Sequence, residues 1–165
     1  TKTTNDSEIL ADGEQVIVAC ALIHDSFNGV EKIFLPKRAK IKKFMPGVYE
    51  LPGGHINFGE DIVAGLTREI QEELGKEITV GDPFGVFTYN NSVKRSHSIE
   101  VVYFAHFKDG LEDISINPAD HVGFDWIAES QLNLVAANKP TGEKDEEYIL
   151  LKKAFRLLRG EQLRF

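Results

Sequence analysis

Between Gly54 and Gly75 the chain sets four glutamates, one arginine and two bracketing glycines in a fixed order. Five residues follow Gly54, then Glu60, then seven residues, then Arg68-Glu69-Ile70-Gln71-Glu72-Glu73-Leu74-Gly75. A helix turns by roughly 100° per residue, so Glu69, Glu72 and Glu73 project from one side of it. Three like charges on one face repel, and folding alone does not favour the arrangement without a compensating cation. Hard divalent cations take oxygen ligands, and magnesium usually works through a few carboxylates plus substrate phosphates. The chemistry on offer is metal-assisted attack on a phosphorylated molecule. Glutamates alone more often make a solvated acidic helix face, so the neighbouring residues decide between the two readings.

Val63, Leu66, Ile70 and Leu74 form an apolar stripe beside the acidic face, which makes this a packed helix. Gly65 falls on the acidic face. A mid-helix glycine costs about 1 kcal/mol against alanine, a cost that close approach of another segment would justify. The loop from Pro52 to Glu60 is the segment placed to approach, and it would bring a peptide carbonyl to the same site. Arg68 carries a planar fork able to grip Glu60 or Glu72 through two parallel bonds and orient them.

The elements around this helix follow from hydrophobic pattern and turn residues. Asp61 suits a helix cap or first-turn acid and Gly75 a left-handed stop, so the helix spans about 61–74. Val16 to Ile23 is a continuous apolar run and reads as a buried strand. His24 to Gly29 reads as a turn, and Ile33 to Leu35 resumes the strand until Pro36, which makes a hairpin. Lys37 to Lys43 is a basic loop. Turns at Pro46-Gly47 and Pro52-Gly53-Gly54 flank Val48 to Leu51. Further strands are expected at Phe84–Tyr89, Ile99–Ala105 and Val122–Ile127. Tyr148, Leu151, Phe155 and Leu158 have amphipathic helix spacing within Glu147 to Arg159.

With these residues in place, the segment resembles the Nudix box: Gly, five residues, Glu, seven residues, Arg-Glu-apolar-any-Glu-Glu-any-Gly-apolar. Gly54, Glu60, Arg68, Glu69, Glu72, Glu73 and Gly75 meet every charged and glycine position, and Ile70 the first apolar one. Lys76 departs at the last apolar place, which weakens the packing expected there and leaves the carboxylates intact. Gly47 to Gly54 resembles the family's lead-in, Ile33 to Arg38 its second strand ending in a basic residue, and Phe124 to Leu132 its late strand and short helix. The resemblance covers most of residues 15–135. It implies an α+β chain with the Nudix fold, a mixed β-sheet sandwiched between helices (an α/β/α sandwich).

The same resemblance implies hydrolysis of a nucleoside diphosphate linked to a group X. By position, Glu69, Glu72 and Glu73 bind magnesium (Mn2+ as substitute), with the Gly53 carbonyl as a further ligand. Glu60 and Arg68 support them, and Glu69 is the candidate general base. An acid from outside the box often completes such a site. Asp120, a few residues before Trp126, is the first candidate and Glu100 the weaker one; an exposed loop acid is an equal reading of Asp120. Arg38 and the basic loop are candidates for phosphate binding, and Tyr89, with Phe87, for contact with a base or X.

The remaining features bound the reading. The 165-residue length suits one domain, expected over residues 15–165 behind a polar arm at 1–14. The net charge of −7 argues against a nucleic-acid polymer as partner, since such binders present basic surface. No apolar run is long enough to span a bilayer. The single cysteine, Cys20, excludes an intrachain disulfide and reads as a buried structural thiol. No signal peptide is visible, and the expected location is cytoplasmic. The expected activity is release of a nucleoside monophosphate from a nucleoside triphosphate or related diphosphate derivative. A nucleotide-sugar or dinucleotide pyrophosphatase and a non-catalytic nucleotide-binding module of the same fold are the alternatives. A homodimer stays open.

Overall fold

The structure, a computed structural model, describes residues 13–43, 45–136 and 145–163. Its strands are β1 (Gln15–Phe27), β2 (Val30–Arg38), β3 (Gly53–His55), β4 (Ile78–Asn91), β5 (Ser96–Phe107) and β6 (His121–Ala128). Its helices are α1 (Ile62–Leu74), α2 (Asn133–Ala136) and α3 (Glu146–Leu158), with a 3-10 turn at Glu129–Gln131. The arm expected at 1–14 lies almost wholly outside the described residues.

The mixed sheet runs β4-β5-β1-β2-β6, with β3 pairing β1. β1 is the branch point. Along one edge, Gln15–Ile23 pairs in parallel with His97–Ala105 of β5. The other edge is shared: Val18–Cys20 faces β3, and His24–Phe27 faces Val30–Ile33 of β2. Beyond Ile33, β2 leaves β1 and continues with β6. The lead-in to β3 bridges the divergence through Arg38 N–H to Val48 O (2.8 Å), Glu50 N–H to Pro36 O (3.0 Å) and Ala21 N–H to Pro52 O (2.9 Å).

The apolar run in β1 is continuous because both faces of the sheet are covered. Val18, Cys20 and Leu22 join Leu35, Val102, Leu151 and Phe155 in the core under α3. Ala19, Ala21 and Ile23 join Phe34, Leu66, Ile70 and Leu74 in the core under α1. Period-2 alternation thus assigns each β1 side chain to one of two layers, as the α/β/α sandwich requires.

Several boundaries differ from expectation, each for a physical reason. The hairpin turn is only Asn28-Gly29, both at positive φ (52° and 79°), the two-residue geometry that matches strand twist; β1 therefore runs on to Phe27. Pro36 does not end β2. Pairing with β6 continues past it to a bulge at Lys37/Arg38, where the ladder is already irregular. Val63 is exposed, and Ile62 packs against the α1 core in its place. Lys76 is buried: its Nζ donates to Glu112 O at 2.8 Å and lies 5.7 Å from the Phe107 ring centroid. Its methylene stem fills the apolar place, so local packing is kept. β4 and β5 are longer than expected because they pair with each other along their length.

Candidate active site

α1 is fixed at both ends. Asp61 accepts from Ala64 N–H at 2.9 Å, and Gly75, at φ 63°, donates to Gln71 O at 3.0 Å. With Leu66, Ile70 and Leu74 turned to the sheet, Glu69 and Glu73 face β3 and its lead-in. Glu69 is 1% exposed. Gly53 N–H donates to Glu73 Oε2 at 3.3 Å.

The glycines make this contact possible. A Cβ on Gly54 would stand 2.4 Å from Glu69 Oε2, and one on Gly65 would stand 2.6 Å from Glu60 Oε1 and 2.7 Å from Ile56 Cδ1. Both Glu60 and Ile56 belong to the loop expected to approach Gly65. A Cβ on Gly53, at φ 152°, would meet Ala19 O at 2.1 Å.

Arg68 organises the acids behind the site. Its Nε and Nη2 donate to Glu60 Oε2 and Oε1 at 2.8 and 2.9 Å, a two-pronged grip. Nη1 donates to Glu69 Oε1 at 2.9 Å and, more distantly, to Glu72 Oε1 at 3.4 Å, while Nη2 also donates to His55 O at 3.0 Å. The grip holds the Glu60 carboxyl well down, at about 2, with the Asn57 N–H contributing and desolvation opposing.

A cavity of about 810 Å³ lies between the end of β2, β3 and its lead-in, α1, β4 and the turn before β6. Gly53, Gly54, Glu69, Glu73, Asp120, Arg38 and Tyr89 all line it. Glu72, Glu60 and Arg68 stand outside its lining. Asp120 sits in the turn before β6; its carbonyl accepts from Ala39 N–H at 2.9 Å and its Oδ1 from Lys42 Nζ at 2.6 Å. Burial pushes the Glu73 carboxyl well above the ordinary range, and the charges of Glu50, Glu69 and Asp120 push it further, against the Gly53 N–H. Among the described residues, no three His, Cys, Asp or Glu side chains stand ready-made around an ion; Lys42, Arg68 and Arg38 supply the nearby positive charge. A self-repelling, oxygen-only set beside a backbone glycine still has the donor chemistry a hard divalent cation requires.

Sequence reasoning missed Glu50 and His121. His121 Nε2 donates to Glu50 Oε1 at 2.7 Å, and Arg38 Nη1 donates to Glu50 Oε2 at 3.0 Å. Desolvation pushes Glu50 up, but these two donors outweigh it and hold the carboxylate below its usual range. The available signal was its place in the lead-in before Pro52-Gly53-Gly54. The first turn of α3 also reaches the cavity, through Glu146 and Glu147 with the cap Asp145. Glu100 on β5 is also part of the cavity lining. It acts electrostatically on Cys20 and Tyr89, whereas the charges acting on Glu73 are those of Glu50, Glu69 and Asp120. Cys20 is a buried free thiol, as expected.

Known proteins share this frame. The NUDIX domain profile matches residues 14–151. Nucleoside triphosphatase NudI of Salmonella paratyphi B is 29% identical over 135 residues, covering 77% of this chain and 92% of that protein. The m7GpppN-mRNA hydrolase NUDT17 of Xenopus laevis is 38% identical over 63 residues, 38% of this chain; the match spans only 21% of that protein's length. The crystal structure of a C. elegans Ap4A hydrolase binary complex superposes with a TM-score of 0.70 at 20% identity, over 88% of this chain and 99% of that one.

Proposed function

The chain belongs to the Nudix hydrolase family, and from that premise we propose that it cleaves the phosphoanhydride of a nucleoside triphosphate, releasing nucleoside monophosphate and pyrophosphate. The observation that carries this reading is the meeting of Glu69, Glu73, Gly53 and Asp120 in one cavity with Arg38 and Lys42. The buried Glu73 carboxyl, whose proton affinity burial and the neighbouring acids raise, shares the cavity with cations suited to phosphates. The overall length match to a nucleoside triphosphatase supports the choice of substrate class.

In this proposal Glu69, Glu72, Glu73, Asp120 and the Gly53 carbonyl would hold magnesium. When bound, such a cation neutralises anhydride charge and lowers the pKa of water. The chain's own groups supply the rest. Arg68 locks Glu60 and Glu69, so the Glu69 carboxylate keeps one orientation. Glu69 takes the proton from the attacking water as its oxygen bonds to phosphorus and the bridging oxygen leaves with pyrophosphate. Arg38, held by Glu50, and Lys42 and Lys43 of the basic loop face the phosphates. Tyr89 and Phe87 on β4 face the nucleoside.

The test is a panel of nucleoside triphosphates, nucleotide sugars and dinucleotides incubated with magnesium, with product identification. Monophosphate plus pyrophosphate from a triphosphate is the expected result. Cleavage confined to nucleotide sugars or dinucleotides replaces the substrate class. Tight calorimetric binding without cleavage over hours refutes hydrolysis and makes the chain a binding module.

A further inference from the structure

Resting on the nucleotide reading above, we propose that Glu100 is the specificity-determining residue of the cavity, selecting a base with two adjacent N–H donors, as guanine presents on its Watson–Crick edge. The placement comes from sheet register. Phe87, Glu100, Val18 and His55 form one row across β4, β5, β1 and β3. The next row on the same face is Gly85, Val102, Cys20 and Gly53. Two strand spacings and one two-residue step separate Glu100 from Gly53, so their Cα atoms lie about 12 Å apart. A ribose plus a base bridges that gap, with the phosphates at the Gly53 end.

The surroundings suit a base. Phe87 and Tyr89, two residues apart on β4, place their ring centroids 6.0 Å from each other and line the same cavity. Tilted 35° to each other, they offer aromatic surface against which one base stacks. Glu100 is 5% exposed, yet it lines the cavity opposite Phe87. Its charge is felt by the Tyr89 phenol and the Cys20 thiol, both of which burial already pushes up. Glutamate is a poor strand former and rarely so buried; for folding alone, an aliphatic residue would serve this position better.

The carboxylate sets the selection. Ionised, it accepts and does not donate. Guanine offers N1–H and the 2-amino group side by side, a two-bond match. Adenine and cytosine each set a donor beside an acceptor, and uracil sets one donor between two carbonyls, so each leaves a repulsive or empty contact. Hypoxanthine keeps N1–H and lacks only the amino group.

The test compares kcat/KM for GTP, ITP and UTP in the wild type and in Glu100→Gln. The wild type is expected to favour GTP over ITP by about tenfold to hundredfold, the range for one good paired contact. Glu100→Gln should lower the GTP value by a similar factor and move ITP by no more than about threefold, since its amide opposes the 2-amino group. A second variant, Tyr89→Leu, should weaken all three alike by loss of stacking. Equal losses for GTP and ITP in Glu100→Gln, or no wild-type preference for GTP, overturn the proposal. If the wild type cleaves no triphosphate, hydrolysis is what fails, and the GTP-to-ITP ratio of calorimetric binding constants with magnesium then decides the role of Glu100. Thermal melts of each variant separate a misfolded protein from an altered site.

Discussion

Gly54→Ala tests whether activity depends on how closely α1 packs against β3. Gly54 has no positive φ, so alanine fits its backbone, and the whole effect comes from one added methyl group. That methyl would stand 2.4 Å from Glu69 Oε2, 2.5 Å from its Cδ and 3.0 Å from its Cγ. Restoring an ordinary contact of 3.4 Å to the nearest atom moves the carboxylate by about 1 Å. Glu69 has little freedom to yield, since it is 1% exposed and Arg68 Nη1 holds its Oε1 at 2.9 Å. A misplacement of about 1 Å in a reacting constellation costs about a hundredfold in rate, and overpacking a core contact costs about 1–3 kcal/mol of stability. The assay is kcat/KM on the best panel substrate at saturating magnesium, with a thermal melt of each protein. Gly123→Ala is the control, because a Cβ there meets nothing within 4 Å. A Gly54→Ala enzyme within about threefold of wild type would refute the packing argument, as a displacement of this size should cost far more.

Other substitutions probe the same cluster. Glu73→Gln should abolish turnover while the metal-free protein melts no lower than wild type, because one charge leaves a buried group of repelling carboxylates; unchanged turnover would remove Glu73 from the metal site. Arg68→Lys keeps the charge and loses the fork, and should lower kcat by about tenfold to hundredfold, measured by steady-state kinetics with the fold checked by circular dichroism. The Glu73 carboxyl is raised in the folded state, so its contribution to metal-free stability is present below the ordinary carboxylate range and is lost as pH rises through its folded value. Glu60, lowered to about 2, contributes in the opposite sense: its stability is present above the ordinary range and lost as pH falls toward that value. Melting at several pH values between about 5 and 8, with and without magnesium, should therefore show stabilisation by the metal growing with pH. A metal effect that is flat across this range would contradict the Glu73 assignment.

The parts of the site legible in the sequence are those fixed by local periodicity. Glu69, Glu72 and Glu73, the caps Asp61 and Gly75, the Arg68 grip on Glu60 and the close approach at Gly65 all lie within one helix and the loop beside it. A 3.6-residue repeat and a few capping rules place them. Lys76 departs from expectation because its residue type signals charge, whereas most of its buried length is hydrocarbon. Glu50 was out of reach for a different reason. Its role depends on Arg38, 12 residues away, and His121, 71 residues away, and no local pattern joins the three. Lys42 and Asp120 meet across 78 residues. The first turn of α3 reads from sequence as acids favoured at a helix N-terminus, so its place on the cavity wall was equally hidden.

The base-reading end of the cavity depends on sheet register more than on composition. The antiparallel ladder starts with Ile78, at the start of β4, opposite Phe107, at the end of β5, and continues with Val80 opposite Ala105. Two irregularities, between Val80 and Pro83 and between Pro83 and Gly85, each shift that register by one residue. Without them Glu100 would face Gly85, and Phe87 would face Ser98. With them Phe87 lies opposite Glu100 and Tyr89 opposite Ser98, which sets the aromatic platform beside the buried carboxylate. A bulge adds a residue to one strand without changing how apolar the strand is, so the pattern of side chains reads almost the same either way. Inserting or deleting a residue at Asp82 or Pro83 would leave the glutamates of α1 in place while turning Phe87 and Tyr89 to the other face of the sheet, away from Glu100. Hydrolysis should then persist with its base preference lost, and a variant that kept the wild-type GTP-to-ITP ratio would show that register does not set specificity.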